Sequence, residues 1–127
     1  MGIGRLQVVS VPVGDQDRAK QFYADKLGFT VERDGVFGED MRWVQLQPPG
    51  GGAAITLVTW FPSMPAGSLK GAVLSCDDVE RTAQELTARG VELGDGGQVQ
   101  EAPWGCWVTL DDPDGNSWIV QQDNPGF

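Results

Sequence analysis

Histidine is absent from all 127 residues. That gap removes the commonest metal ligand, the commonest general base and every Ser-His or Cys-His nucleophile. Basic residues are also scarce: nine Lys and Arg face eighteen Asp and Glu, a net charge of -9. Such a surface repels phosphates, which argues against nucleic acid and favours neutral or cationic ligands, although surplus acid also serves solubility alone. No apolar run approaches the length of a membrane span, and the N-terminal MGIGRLQ carries neither a secretory apolar core nor a myristoylation signal. The expected address is therefore the cytoplasm, with no membrane partner. Cysteine is limited to Cys76 and Cys106, which form no close pair in the sequence and read as small buried hydrophobes.

What is present is a globular composition, 40% apolar and 21% charged, and a length suited to one domain that buries roughly two thirds of its unfolded surface. The chain is internally duplicated. VPVGDQDRAKQFYADKLGF, from Val11 to Phe29, matches LSCDDVERTAQELTARGV, from Leu74 to Val91, so that Asp15 pairs with Asp78, Arg18 with Arg81, Gln21 with Gln84 and Gly28 with Gly90. Later, WVQLQPPGG from Trp43 mirrors WVTLDDPDG from Trp107. Residues 1–60 form a first module, 61–69 a linker containing FPSMPAGS, and 70–127 a second module. Neither half is long enough to bury a good core alone, so the two make a single domain.

Each half reads strand, helix, then strands, βαβββ twice, an α+β fold. Val9, Val11 and Val13 alternate with Val8, Ser10 and Pro12, and Ala72, Leu74 and Cys76 alternate with Gly71, Val73 and Ser75. Asp15 and Asp78 cap the helices, and Gly28 and Gly90 stop them. Ala19, Phe22, Tyr23 and Leu27 share one side of the first helix, which places Tyr23 in the core rather than in catalysis; Val79, Ala83 and Leu86 do the same in the second. Strands follow at Met41 to Gln47, Ala53 to Trp60, Cys106 to Leu110 and Ser117 to Gln122, separated by the turns PPGGG and DPDGN. Each helix covers one sheet face and leaves the other free to bind a ligand.

These motifs, VPVGDQDRAKQFYADKLGF, CDDVERTAQELTARGV and DDPDGNSWIVQQ, in this order and spacing, resemble the vicinal oxygen chelate superfamily of glyoxalase I, extradiol dioxygenases, and fosfomycin- and bleomycin-resistance proteins. The resemblance covers essentially the whole chain. It implies two tandem βαβββ modules forming a curved mixed sheet around a cleft, and a homodimer whose cleft lies within one chain or across a swapped pair. In metal-dependent members each half supplies two ligands. The matching positions here are Val8 and Thr56 in the first half, Gly71 and Ile119 in the second. None offers imidazole, carboxylate or thiolate, so the resemblance and the residues together imply no metal and no cofactor.

Period-two alternation gives the expected cleft lining: Val8, Ser10, Trp43, Gln45, Thr56, Val58 and Trp60 from the first half, and Gly71, Val73, Trp107, Thr109, Ile119 and Gln121 from the second, with Trp104 beside them. This set suits a flat or cationic organic molecule held by stacking and a few hydrogen bonds. Each tryptophan could equally be core or dimer contact, and Gly71 could serve strand packing alone. Glu101 is a solvated acid or, if it points inward, the best candidate for a catalytic base. Arg18 and Arg81 read as surface residues that hold loops. Three functions stay open: a metal-free binding protein that sequesters a small molecule unchanged; a lyase or isomerase using Glu101 or ligands recruited elsewhere; and a non-catalytic regulatory module.

Overall fold

A computed structural model describes residues 1–126; Phe127, the last residue of the second module, lies outside the described residues. In the first half, strands β1 (Val8–Pro12), β2 (Thr30–Phe37), β3 (Met41–Gln47) and β4 (Ala54–Val58) form a sheet in the order β1-β4-β3-β2. In the second, β5 (Ala72–Ser75), β6 (Gln100–Ala102), β7 (Gly105–Asp111) and β8 (Ser117–Asp123) form a sheet in the order β5-β8-β7-β6. β1 runs parallel to β4 and β5 parallel to β8, while the other neighbours are antiparallel. The fold is α+β, two four-stranded mixed sheets of identical strand order.

The duplication extends to single ladder rungs. Ser10 faces Thr56 and Gln45 faces Thr56 in the first sheet; Val73 faces Ile119 and Thr109 faces Ile119 in the second. The turns correspond as well, because the Gly51 N–H donates to the Pro48 carbonyl and the Gly115 N–H to the Asp112 carbonyl, both at 3.0 Å. Helix α1 (Gln16–Gln21) runs on into a wider π-helical turn (Phe22–Lys26), and α2 spans Val79–Ala88. The Asp15 carboxylate accepts from the Arg18 N–H and the Asp78 carboxylate from the Arg81 N–H, each at 3.1 Å, satisfying amides that a helix start leaves unpaired. Gly28 and Gly90 stop the helices at φ of +76° and +84°, where a Cβ would be strained.

One hydrophobic core draws on both halves. Val11, Val44, Leu46, Ile55 and Leu57 from the first sheet meet Val108, Leu110, Trp118 and Val120 from the second, with Tyr23, Phe29, Ala83 and Leu86 between them. Cys76 and Cys106 sit at the margin of this core, half-buried rather than fully buried, and loss of solvation pushes the Cys76 thiol pKa up.

A polar network inside the core fastens the two halves together. The Asp112 carboxylate accepts the Tyr23 hydroxyl at 2.6 Å, the Asn116 side-chain amide at 2.8 Å and the backbone N–H groups of Asp114 and Asn116 at 2.9 Å. The Trp118 Nε1–H donates to Tyr23 Oη at 2.8 Å, and the Asn116 amide also donates to the Pro12 carbonyl at 2.8 Å. The polar turn DPDGN therefore owes its aspartates to folding: it points a carboxylate inward to hold the opposite module. Arg18 extends the link outside with a 3.2 Å contact to Asp114.

Candidate functional site

Residues of each sheet that do not enter the shared core line its other face. Ser10, Trp43 and Gln45 are half-buried on the first sheet, and Trp107, Thr109, Ile119 and Gln121 on the second, while their strand neighbours Val11, Val44, Val108 and Val120 are fully buried. Val8 is half-buried on the first strand, Val73 is 53% exposed, and Gly71 lies exposed just before β5.

Each free face carries a stacked tryptophan pair. Trp43 and Trp60 lie with ring centroids 6.3 Å apart and planes at 28°; Trp104 and Trp107 lie 6.1 Å apart at 5°. Phe37 and Phe61 extend the first group, at 6.3 Å from Trp43 and 6.1 Å from Trp60. Among the described residues, no aromatic contact joins the two groups, since both faces turn away from the common core.

Several expected lining residues are placed differently from the sequence reading. Thr56 and Val58 point to the free face but are 1% exposed, so neighbouring side chains cover them in the single chain. The Thr56 hydroxyl is buried without a hydrogen-bond partner. Glu101 pairs with Cys106 on β7, whereas Gln100 pairs with Trp107. Direct partners share a face, so Glu101 points away from the tryptophans, and its exposed carboxylate is no base for a ligand bound against them. Trp104, in the β6–β7 turn, is 46% exposed and reaches the site only through its stack on Trp107.

Val8, Thr56, Gly71 and Ile119, which the resemblance matched to family ligand positions, offer one hydroxyl and no carboxylate or imidazole. Among the described residues, no three His, Cys, Asp or Glu side chains gather where they could hold a metal ion. This donor set does not fit the divalent ion used by metal-dependent members.

A family model, the Glyoxalase/Bleomycin resistance protein/Dioxygenase superfamily, matches residues 5–120. The chain belongs to this superfamily. Its structure is similar to that of TnmS3, an antibiotic binding protein from Streptomyces sp. CB03234, with a TM-score of 0.89 and 40% identity over 98% of this chain and 99% of that one. A superfamily member from Sphaerobacter thermophilus DSM 20745 superposes with a TM-score of 0.86 at 28% identity, covering 97% of this chain and 100% of that one. In sequence, the uncharacterized protein YetH of Bacillus subtilis strain 168 is 33% identical over 124 residues, 94% of this chain and 99% of YetH.

Beside the expected Trp43 and Gln45, the first face holds Glu32, Arg33, Phe37 and Phe61, which the sequence reading did not single out. Gln45 bridges the first face: its Oε1 accepts from Trp43 Nε1–H at 2.9 Å, and its Nε2 donates to Glu32 at 3.1 Å. Arg33, on β2 opposite Gln45, joins them. No local signal marked β2, because a bulge between Val31 and Arg33 breaks its alternation and the strand is largely exposed.

Proposed function

We propose that this superfamily member is a metal-independent binding protein that sequesters a planar organic molecule against its tryptophans without converting it. The observation that carries the reading is the pair of stacked tryptophan groups, Trp43–Trp60 and Trp104–Trp107, on the free faces of two duplicated sheets. Flat rings on and beside a sheet face supply large stacking area at small conformational cost. The resemblance to an antibiotic binding protein at 40% identity supports the same role. Against Glu101 as a base for a ligand on the tryptophans stands its pairing with Cys106, on the opposite side of the sheet.

The proposal includes a homodimer. Within one chain the two faces point away from the shared core, so a two-sided cleft needs the first sheet of one protomer to meet the second sheet of its partner. Light scattering on the purified protein should return twice the 13.7 kDa chain mass.

Titration with a panel of planar antibiotics, followed by tryptophan emission, tests the binding reading. Saturable quenching is expected, weakened about tenfold or more in Trp43→Ala and in Trp107→Ala, with the ligand recovered at unchanged mass and the affinity unaffected by prolonged chelation. Conversion of the ligand, or affinity that survives both tryptophan substitutions, overturns the proposal.

A further inference from the structure

The overall charge of -9 favours neutral or cationic ligands, yet the surroundings of the first tryptophan pair run the other way. Among the described residues, most cations are engaged: Arg18, Lys20 and Arg42 pair with aspartates, and Lys26, Lys70 and Arg89 donate to carbonyls. Among the described residues, only the side chains of Arg5, Arg33 and Arg81 make no hydrogen bond or ion pair. Two of these three converge. Arg5 and Arg33 line one cavity of about 330 Å³ with Gln7, Glu32, Gln45 and Gln47 at the polar end of the first sheet's free face.

That cavity connects to the aromatic end through Arg33. A second depression, of about 320 Å³, is lined by Arg33, Gly35, Val36, Phe37 and Trp43. Gly35 stands directly opposite Trp43 on β2, and a Cβ there would meet nothing within 4 Å. The missing side chain leaves room beside the Trp43 indole, at one end of which lies an unpaired guanidinium. Gln45 is tied to both ends, accepting from Trp43 and donating to Glu32, so the polar and aromatic parts form one surface.

We infer that this face recognises an aromatic acid: the ring lies over Gly35 against Trp43 and Phe37, and the carboxylate is held by Arg33 with Arg5 behind it. The inference rests on the binding function proposed above and adds the charge of the ligand to it. A guanidinium offers a planar pair of N–H donors that matches a carboxylate, and charge-assisted bonds of this kind are about twice as strong as neutral ones. Glu32 offsets one of the two positive charges. It leaves the cavity net positive within an acidic protein, so an anion drawn there is discriminated from the bulk of the surface.

Isothermal titration calorimetry with 2-naphthoate and 2-naphthamide, which share a ring and differ in charge, provides the test. The acid is expected to bind at least tenfold tighter than the amide at low ionic strength, with the preference shrinking as salt is added. Arg33→Gln should collapse that preference to within about twofold and Arg5→Gln should reduce it, while Arg81→Gln, a free guanidinium elsewhere, leaves it intact. Equal binding of acid and amide by the native protein overturns this inference and leaves the tryptophan faces as a binding site. A preference that persists in both Arg33→Gln and Arg5→Gln also overturns it. Binding of neither probe overturns the inference, while the antibiotic titration above decides separately whether the binding function stands.

Discussion

Tyr23→Phe removes one oxygen from the centre of the core network and should be among the most damaging single-atom changes this protein can suffer. In the native structure that oxygen donates to Asp112 at 2.6 Å and accepts from Trp118 Nε1–H at 2.8 Å, with Tyr23 fully buried. Its loss leaves the Trp118 N–H with no acceptor in a site 4% exposed and deprives a buried carboxylate of its shortest bond. A bond to a charged acceptor is worth about 1.5–3 kcal/mol, and a stranded buried donor costs about 1–3 kcal/mol. Because the phenyl ring still fills the space, no cavity cost is added, and the expected loss is about 3–4 kcal/mol. For a 127-residue chain this lowers Tm by about 10–15 °C. Urea unfolding followed by tryptophan emission measures it, and the slope of the transition should stay constant. The double substitution Tyr23→Phe with Trp118→Phe removes the stranded N–H, so its cost should fall short of the sum of the singles by about 1 kcal/mol or more. A Tyr23→Phe protein that unfolds within about 0.5 kcal/mol of the native one would show that the network does not fasten the modules.

The same tyrosine gives a pH signature. Burial, followed by the Asp112 charge, raises its pKa far above the ordinary 10.0, so the folded state disfavours the phenolate. Stability from this group is complete below pH 10 and declines as pH rises above it, because only the unfolded chain releases the proton; absorbance at 295 nm should therefore rise in step with unfolding, and ionisation in the folded state would contradict the assignment. Gly67→Ala should cost about 2 kcal/mol or more, since its φ is +83° and the new Cβ would collide with the Asp114 carbonyl, whereas Gly50→Ala, in open space without a positive φ, should change Tm by no more than a few degrees in differential scanning calorimetry. Thr56→Val deletes a buried hydroxyl that has no partner, so stability should be unchanged or higher by about 1 kcal/mol, and a clear loss by chemical denaturation would reveal a partner for it in the proposed dimer.

Much of this architecture is legible because it is written in local chemistry. The caps at Asp15 and Asp78, the stops at Gly28 and Gly90, and the alternation along β1, β3, β7 and β8 depend on residues within a few positions of one another. The duplication lets one half confirm the other, which is why Thr56 and Ile119 could be placed at matching positions before their ladders were known. β2 and β6 escaped delimitation, the first because a bulge breaks its period and the second because it is only three residues long. The site was legible in part. Trp43 and Trp107 alternate out of the core as their strands require, but which tryptophan stacks on which depends on loops.

The sequence by itself determined the repeat and the order of elements, because these follow from residue identity and short-range spacing; that Val8, Thr56, Gly71 and Ile119 stand at metal-ligand positions is what the family resemblance implies. Only the tertiary structure decided that the two free faces turn away from each other, that Thr56 is covered, and that Glu101 faces away from the tryptophans. It also decided that Asp112 meets Tyr23 across 89 residues of chain and that Arg5 and Arg33 share a cavity. Each of these depends on how two modules pack and on where a bulge rotates a strand, and those outcomes are set by the summed burial of a common core rather than by any stretch of sequence alone.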